Sequence, residues 1–223
     1  LAVTLLPSGT ANNFAKTLDI SPGWSDFERR VVAWKLKKID IGAITNLRKA
    51  NFFLEGLGYG LIPKLIKRME EDKLEAETAD QELRVALEKL VEIAEQYSPR
   101  RAKITVDGQV YENDYLLVEV LNIKSVGPNL ILAPKANPTD GKFEVVLLKE
   151  SDRTAFINYL KRLLKHQAGD GPGEVPWKTI KAARDVSIVC EGRLIHVDDE
   201  LITLKKGKVI NIEVRPGIVD FIT

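Results

Sequence analysis

The sequence predicts a mainly β protein with helices, of the α+β class, built as a sandwich or barrel. Seven or more short apolar runs are separated by Gly, Pro, Asp or Asn turns. An Asp107-Gly108 pair sits between two strand-like runs, the strongest short hairpin signal in the chain. Helical spacing is confined to a few stretches. With 223 residues, 44% of them apolar and 29% charged, the chain has room for one large domain or a domain plus a fragment.

The chain opens at Leu1 in an apolar stretch, and its only methionine is Met69. Leu1–Leu6 reads as a buried inner strand whose neighbours are expected upstream of these residues. Pro7-Ser8-Gly9-Thr10 follows as a turn, and then a helix through Asn12, Phe14, Ala15 and Leu18. Ser25 with Glu28 forms a capping box for a short helix carrying Phe27, Val31 and Trp34. Composition shifts near Lys37, which divides the chain into residues 1–36 and 37–223. From Lys37 to Ile44 the pattern alternates, with Ile39, Ile41 and Ala43 on one face of a strand.

Asn51–Leu57 is apolar and aromatic and runs into Gly56, Gly58 and Gly60, after which Leu61–Met69 has helical spacing. These glycines lack the acidic partner of a dinucleotide site and are read as close backbone packing. Asp80–Gln96 is a clearer helix, with Leu83, Leu87, Leu90 and Ala94 on one stripe. The Glu-rich connection around Glu70–Glu77 reads as a solvated helix face or hinge. Ala102–Val106 and Gln109–Glu112 flank the hairpin turn. Tyr115–Leu121, Leu130–Leu132, Phe143–Leu148, Val186–Cys190, Leu194–Val197, Leu201–Lys205 and Val209–Val214 follow as strands. One helix interrupts them, from a Ser151 cap through Leu164, and Gln167–Pro176 reads as a surface loop.

Charge and composition narrow the function. The 33 Lys and Arg against 32 Asp and Glu give a net charge of +1, so no global pull toward nucleic acid is expected. Arg100, Arg101 and Lys103 are either a headgroup contact or a solvated face. The single Cys190 lies in an apolar stretch and is expected to pack as a small hydrophobe in a reducing, cytoplasmic setting. No run approaches the roughly 20 apolar residues of a membrane helix, and no export leader is read at the start.

Two constellations carry chemistry. Pro7-Ser8-Gly9-Thr10-Ala11-Asn12-Asn13-Phe14-Ala15 puts a Gly before a helix start, suited to a phosphate, although taken alone these residues read first as an ordinary tight turn with Thr10 or Asn12 as helix cap. Val197-Asp198-Asp199-Glu200 is an acidic segment at a strand edge. Alternation would place Asp198 and Glu200 on one face, where like-charge repulsion raises proton affinity; a solvated acidic hairpin is the alternative.

Together these segments resemble the diacylglycerol kinase and sphingosine kinase superfamily, especially its bacterial soluble lipid kinases. The first resembles that family's Pro-x-Gly-Thr-x-Asn-Asp-Phe-Ala signature. Asp40-Ile41-Gly42 with Asn51-Phe52-Phe53 and Gly56–Gly60 resembles the start of its second domain. Ala133-Pro134-Lys135-Ala136 through Asp140-Gly141-Lys142-Phe143-Glu144-Val145, and Val197–Glu200, resemble its later motifs, in the same order.

The resemblance implies a β-sandwich lipid-binding domain over residues 37–223, preceded over 1–36 by the end of a Rossmann-like nucleotide domain. That domain's Gly-Gly-Asp-Gly-Thr loop is not in these residues, so the fragment alone is expected to be inactive. It further implies ATP- and Mg²⁺-dependent phosphorylation of a lipid hydroxyl at the membrane surface. Gly9, Thr10 and Asn12 would lie on the nucleotide side, and Glu200, with Asp198, would act as the base. Asp140 with the carbonyls of Asn137 and Lys142 would face a hydrated Mg²⁺; an Asp-Gly turn without an ion is the other reading. Asp199 stands where the family has Gly, which bears on the aim of Glu200 if positive φ is needed there. The alternatives are a kinase of the same scaffold with a soluble acceptor such as NAD, and a non-catalytic β-sandwich module. The missing nucleotide domain is the expected partner, and a homodimer stays open.

Overall fold

A computed structural model describes residues 2–72, 78–165 and 177–223. Residues 73–77 of the Glu-rich connection, the loop expected over 167–176 and Leu1 lie outside the described residues. The chain opens with β1 (Ala2–Val3), α1 (Asn13–Thr17) and α2 (Trp24–Ala33), then β2 (Leu36–Ile44), β3 (Phe52–Phe53) and β4 (Gly56–Gly60). Helices α3 (Leu61–Asp72) and α4 (Ala79–Gln96) precede β5 (Arg100–Val106), β6 (Gln109–Leu121), β7 (Ser125–Val126), β8 (Leu130–Ile131) and β9 (Phe143–Lys149). The chain ends with α5 (Arg153–Lys165), β10 (Lys178–Ala182), β11 (Asp185–Cys190), β12 (Leu194–Val197), β13 (Glu200–Thr203) and β14 (Val209–Ile222).

Twelve strands make one sheet, in the order β13-β12-β4-β6-β5-β11-β14-β2-β3, with β9 on β6, β10 on β9 and β1 on β14. Its pairings are antiparallel except that β1 runs parallel to β14, Ala2 opposite Asp220. Strand β6 curls it. Residues 109–115 pair with β5, whereas 117–121 lie between β4 and β9, and the register shifts between Tyr115 and Leu117. One strand thus serves two layers, the way a sandwich turns its corner. The two short strands read from the sequence on either side of Asn113-Asp114 are this single strand, because Asp114 stays in register opposite Arg101.

Alternation along β6 divides the core. Tyr115, Val118 and Val120 face the inside of the curl with Ile104, Ile188 and Ile212. Leu116, Leu117 and Leu121 face α3, α4 and α5, where Leu61, Leu90, Phe156 and Tyr159 are buried. Each such side chain contributes about 1.5–3 kcal/mol. A third cluster joins Phe14, Ala15, Leu18 and Ile20 to Ile39, Ile123 and Phe221, seating the opening segment on β2 and β14.

Several local expectations change. The strand expected over Leu1–Leu6 is only Ala2–Val3. Ser25 does not cap α2; Gly23 occupies that position without a side-chain bond, and Asp26 instead pairs with Arg29 and Arg30. Ser151 does not cap α5, because a 3₁₀ turn over Glu150–Asp152 intervenes, tied by Lys149 N donating to Asp152 Oδ2 at 2.9 Å. On β2 the inward face is Asp40, Gly42 and Ile44 rather than Ile41 and Ala43. Gly42 is forced: a Cβ there would fall 2.1 Å from the Phe53 ring. Strand β14 continues past Val214 to Ile222 through a register shift between Arg215 and Val219, with Gly217 at φ 59°. Strand β10 escaped the pattern because Lys178, Thr179 and Lys181 on this sheet edge are exposed and polar. The Asp107-Gly108 hairpin forms as expected, both residues at positive φ (47° and 85°).

Candidate functional site

The Pro7–Asn12 segment is a bend closed on itself. Gly9 N donates to Asn12 Oδ1 at 3.1 Å, the Asn12 amide returns a bond to Gly9 O, and Asn12 sits in the left-handed region at φ 50°. Asn12 occupies the N-cap position of α1, its carbonyl accepting from Lys16 N at 3.0 Å, but its side chain makes no capping bond. Thr10 Oγ1 donates to Glu82 Oε2 on α4 at 2.7 Å, so a phosphate at this hydroxyl would have to displace a carboxylate. Asn13, at the signature's Asp position, is buried. It accepts from Ser125 Oγ at 2.9 Å and donates to Gly127 O at 3.0 Å, a donation that a carboxylate would not make.

Asp198 and Asp199 form the two-residue turn between β12 and β13, since Val197 pairs with Glu200. Alternation stops at that turn, so the one-face arrangement of Asp198 and Glu200 does not hold. The left-handed residue is Asp198 at φ 49°, not Asp199. The Asp198 carboxylate is directed into the sheet, accepting from Leu54 N at 3.1 Å, Glu55 N at 2.8 Å and Gly56 N at 3.1 Å. Its own N–H donates to Gly56 O at 2.8 Å. Glu200, first residue of β13, is exposed.

Beneath this turn lies a buried pair. His196 Nε2 is 2.8 Å from Glu119 Oε2, and His196 Nδ1 is 2.8 Å from Asp198 O; both side chains are within 1% of complete burial. A carbonyl only accepts, so Nδ1 carries the proton. Burial pushes the Glu119 carboxyl up; at His196 burial works against the charged form, but the Glu119 carboxylate outweighs it and raises the imidazole, so the two groups titrate as a coupled pair. Gly58 makes the room, since a Cβ there would lie 2.0 Å from Glu119 Oε2.

Glu55 links the two constellations. Its half-buried carboxyl is raised to about 7, first by burial and then by Asp199 and Asp198, while the Phe14 N–H and His196 pull it back. The first turn of α1 and the Asp198 turn therefore meet around one carboxyl poised near neutral pH.

The segment over 137–142 is a separate, tightly tied loop. Asp40 is 2% exposed. It accepts from Gly141 N at 2.7 Å and Gly217 N at 2.8 Å, and its own N–H donates to Pro138 O at 2.7 Å. Asp140 accepts from Lys142 N at 3.0 Å and pairs with the Lys181 ammonium at 3.2 Å. The Asn137 carbonyl accepts from Asp140 N at 3.3 Å. No group of three His, Cys, Asp or Glu placed to hold a metal ion occurs among the described residues. The Lys181 ammonium also lies 3.6 Å from Glu144 Oε1, so a divalent ion at Asp140 would compete with a cation already held between two carboxylates, which does not fit a resident Mg²⁺.

Known proteins match the chain and its fold. The family model described as the YegS C-terminal NAD kinase beta sandwich-like domain matches residues 68–222. The chain belongs to this family. With it comes membership of the diacylglycerol kinase and YegS lipid kinase superfamily. A protein named diacylglycerol kinase from Bacillus subtilis (strain 168) is 25% identical over 211 residues, covering 93% of this chain and 65% of the relative. A relative from Staphylococcus aureus (strain MSSA476), provisionally named a lipid kinase, is 22% identical over 226 residues, covering all of this chain and 69% of the relative. A crystal structure of a diacylglycerol kinase from Bacillus anthracis (strain Sterne) superposes with a TM-score of 0.72 at 22% identity, covering 99% of this chain and 68% of the other. This likeness establishes the fold.

Within the family motifs, sequence reasoning missed Glu55, Glu119 and the role of His196. Their signal was present: each is a lone titratable residue inside an apolar run, Phe52–Leu57, Leu116–Leu121 and Leu194–Val197. Such residues are buried only when partnered. Cys190 meets its expectation, buried beside Gly192 O with its thiol pushed up to about 11 by burial. No described helix is long and apolar enough to cross a membrane.

Proposed function

We propose that this chain is the acceptor-side part of a lipid kinase, carrying a phosphoryl group from ATP, bound with Mg²⁺ as the MgATP substrate, to the hydroxyl of a diacylglycerol-like lipid at a membrane surface. The observation that carries the reading is the meeting of the start of α1, at Phe14, and the Asp198-Asp199 turn around Glu55, whose own N–H donates to Asp198 Oδ1 at 2.8 Å. Phosphoryl transfer needs an alcohol lined up with the γ-phosphoryl group and a proton acceptor beside that alcohol. Glu200, exposed at the start of β13 and two residues beyond the anchored Asp198, is suited to take the proton. Gly9, Thr10 and Asn12 form the side toward the nucleotide, with Thr10 released from Glu82 on binding. The remaining nucleotide contacts would come from an upstream lobe bearing the Gly-Gly-Asp-Gly-Thr loop.

The test is ATP-dependent phosphorylation of diacylglycerol in mixed micelles by the protein extended upstream through that lobe. Glu200→Gln should lower turnover by about 10²-fold or more while nucleotide binding is kept. Unchanged turnover removes the base assignment. Preference for a soluble acceptor such as NAD, with indifference to micelles, removes the lipid reading.

A further inference from the structure

Glu119 and His196 are a costly pair to keep. A buried imidazole–carboxyl pair rarely adds stability over an apolar replacement, and Glu119 Oε1 has no hydrogen-bond partner among the described residues. Gly58 is further restricted to accommodate it. What the pair does is hold the Asp198 carbonyl through His196 Nδ1–H at 2.8 Å. That carbonyl belongs to the left-handed residue of the turn, whose carboxylate gathers the N–H groups of Leu54, Glu55 and Gly56.

We infer that Glu119 and His196 are positioning residues: Glu119 fixes the His196 tautomer with the proton on Nδ1, and His196 thereby sets the turn that aims Glu55 and Glu200 into the site. The inference rests on the lipid-kinase reading for its catalytic consequence. Its structural part stands independently, because the chain of bonds from Glu119 to the 54–56 amides exists whatever the acceptor.

The two nitrogens can be tested separately. An Asn side chain at 196 places an amide N–H near the Nδ1 position and keeps the bond to Asp198 O; a Gln places one near Nε2 and keeps only the contact with Glu119. In the 223-residue chain, ¹⁵N spectra should show His196 protonated on Nδ1 through neutral pH. His196→Gln should speed amide exchange at Leu54, Glu55 and Gly56 about tenfold, whereas His196→Asn should stay within about threefold of the parent. Glu119→Gln, whose amide can donate to Nε2 and preserve the tautomer, should behave like the parent. In the extended kinase, His196→Gln should lower kcat about tenfold with the KM for ATP unchanged, and His196→Asn should restore most of it. Equal exchange in the two His196 variants, or a parent His196 bare at Nδ1, overturns the positioning role. Exchange as expected in an extended protein that phosphorylates no lipid overturns the kinase reading and leaves the alignment of the turn standing.

Discussion

Two hairpin turns of this molecule use the same device at different depths. Asp107 and Asp198 each open a two-residue turn, each sits at positive φ (47° and 49°), and each carboxylate accepts three consecutive backbone N–H groups from a neighbouring segment. At Asp107 those donors are Ala183, Arg184 and Asp185, and the clip is exposed. Three amides outweigh partial burial and hold the Asp107 carboxyl below its usual range. At Asp198 the clip is half-buried, followed by a second Asp instead of Gly, and backed by the buried His196 and Glu119. The first turn closes a sheet. The second connects the interior to a cluster of carboxylates, so the same local motif is structural in one place and suited to a site in the other.

The largest expected effect separates the two. Asp198→Ala leaves three amides without a partner in a half-buried setting and should destabilise by about 3 kcal/mol. Asp107→Ala exposes its three amides to water and should cost about 1 kcal/mol. Urea unfolding of both variants at pH 7 measures the gap, and equal losses would mean that burial at the second turn adds nothing.

How much of this contrast the sequence discloses depends on the kind of signal. Asp107-Gly108 is legible because a positive-φ pair between alternating runs is local chemistry. At Asp198-Asp199 the break between the strands is legible, but carrying the alternation across it puts Asp198 and Glu200 on one face, since Asp carries no local requirement as strong as that of Gly. Glu55, Glu119 and His196 each announce an anomaly, a titratable group in an apolar run, but which anomaly meets which is decided by the register of β4 between β6 and β12. Gly58 faces Glu119 on one side and His196 on the other, a fact of pairing that spans residues far apart in sequence. The Asp40 anchor on the 137–142 loop was hidden for the same reason, its contacts lying 101 and 177 residues away. The family motifs marked these places without showing how they are joined.

A pH series sharpens the comparison next. The carboxyl of Glu55 is raised from 4.5 to about 7, so the folded state binds the extra proton. Its contribution is fully present below about pH 4.5 and is lost as pH rises through about 7, a fall of about 2–3 kcal/mol for a group this buried. Asp107, held low, works in the opposite sense: its contribution is present above about pH 4 and is lost in more acid solution. Glu55→Gln should flatten the stability curve between pH 5 and about 8 while leaving the acid limb set by Asp107 in place. A slope unchanged in that window would show that Glu55 titrates in its ordinary range.

The smallest effect concerns Asp199. A glycine there would be needed for backbone reasons only if the position were left-handed, yet the left-handed residue is its neighbour Asp198. Asp199 acts instead through charge, as the largest source of repulsion raising Glu55 after burial. Asp199→Gly should therefore lower the Glu55 pKa, read by ¹³C titration of its carboxyl. The loss of backbone stiffness and the relief of repulsion oppose each other, leaving stability within about 0.5 kcal/mol at pH 8. A loss above about 1.5 kcal/mol would give Asp199 a backbone role like that of its neighbour. If the expected result holds, the exchange of Gly for Asp at this turn adjusts the proton affinity of the site and leaves the aim of Glu200 to the buried pair beneath it.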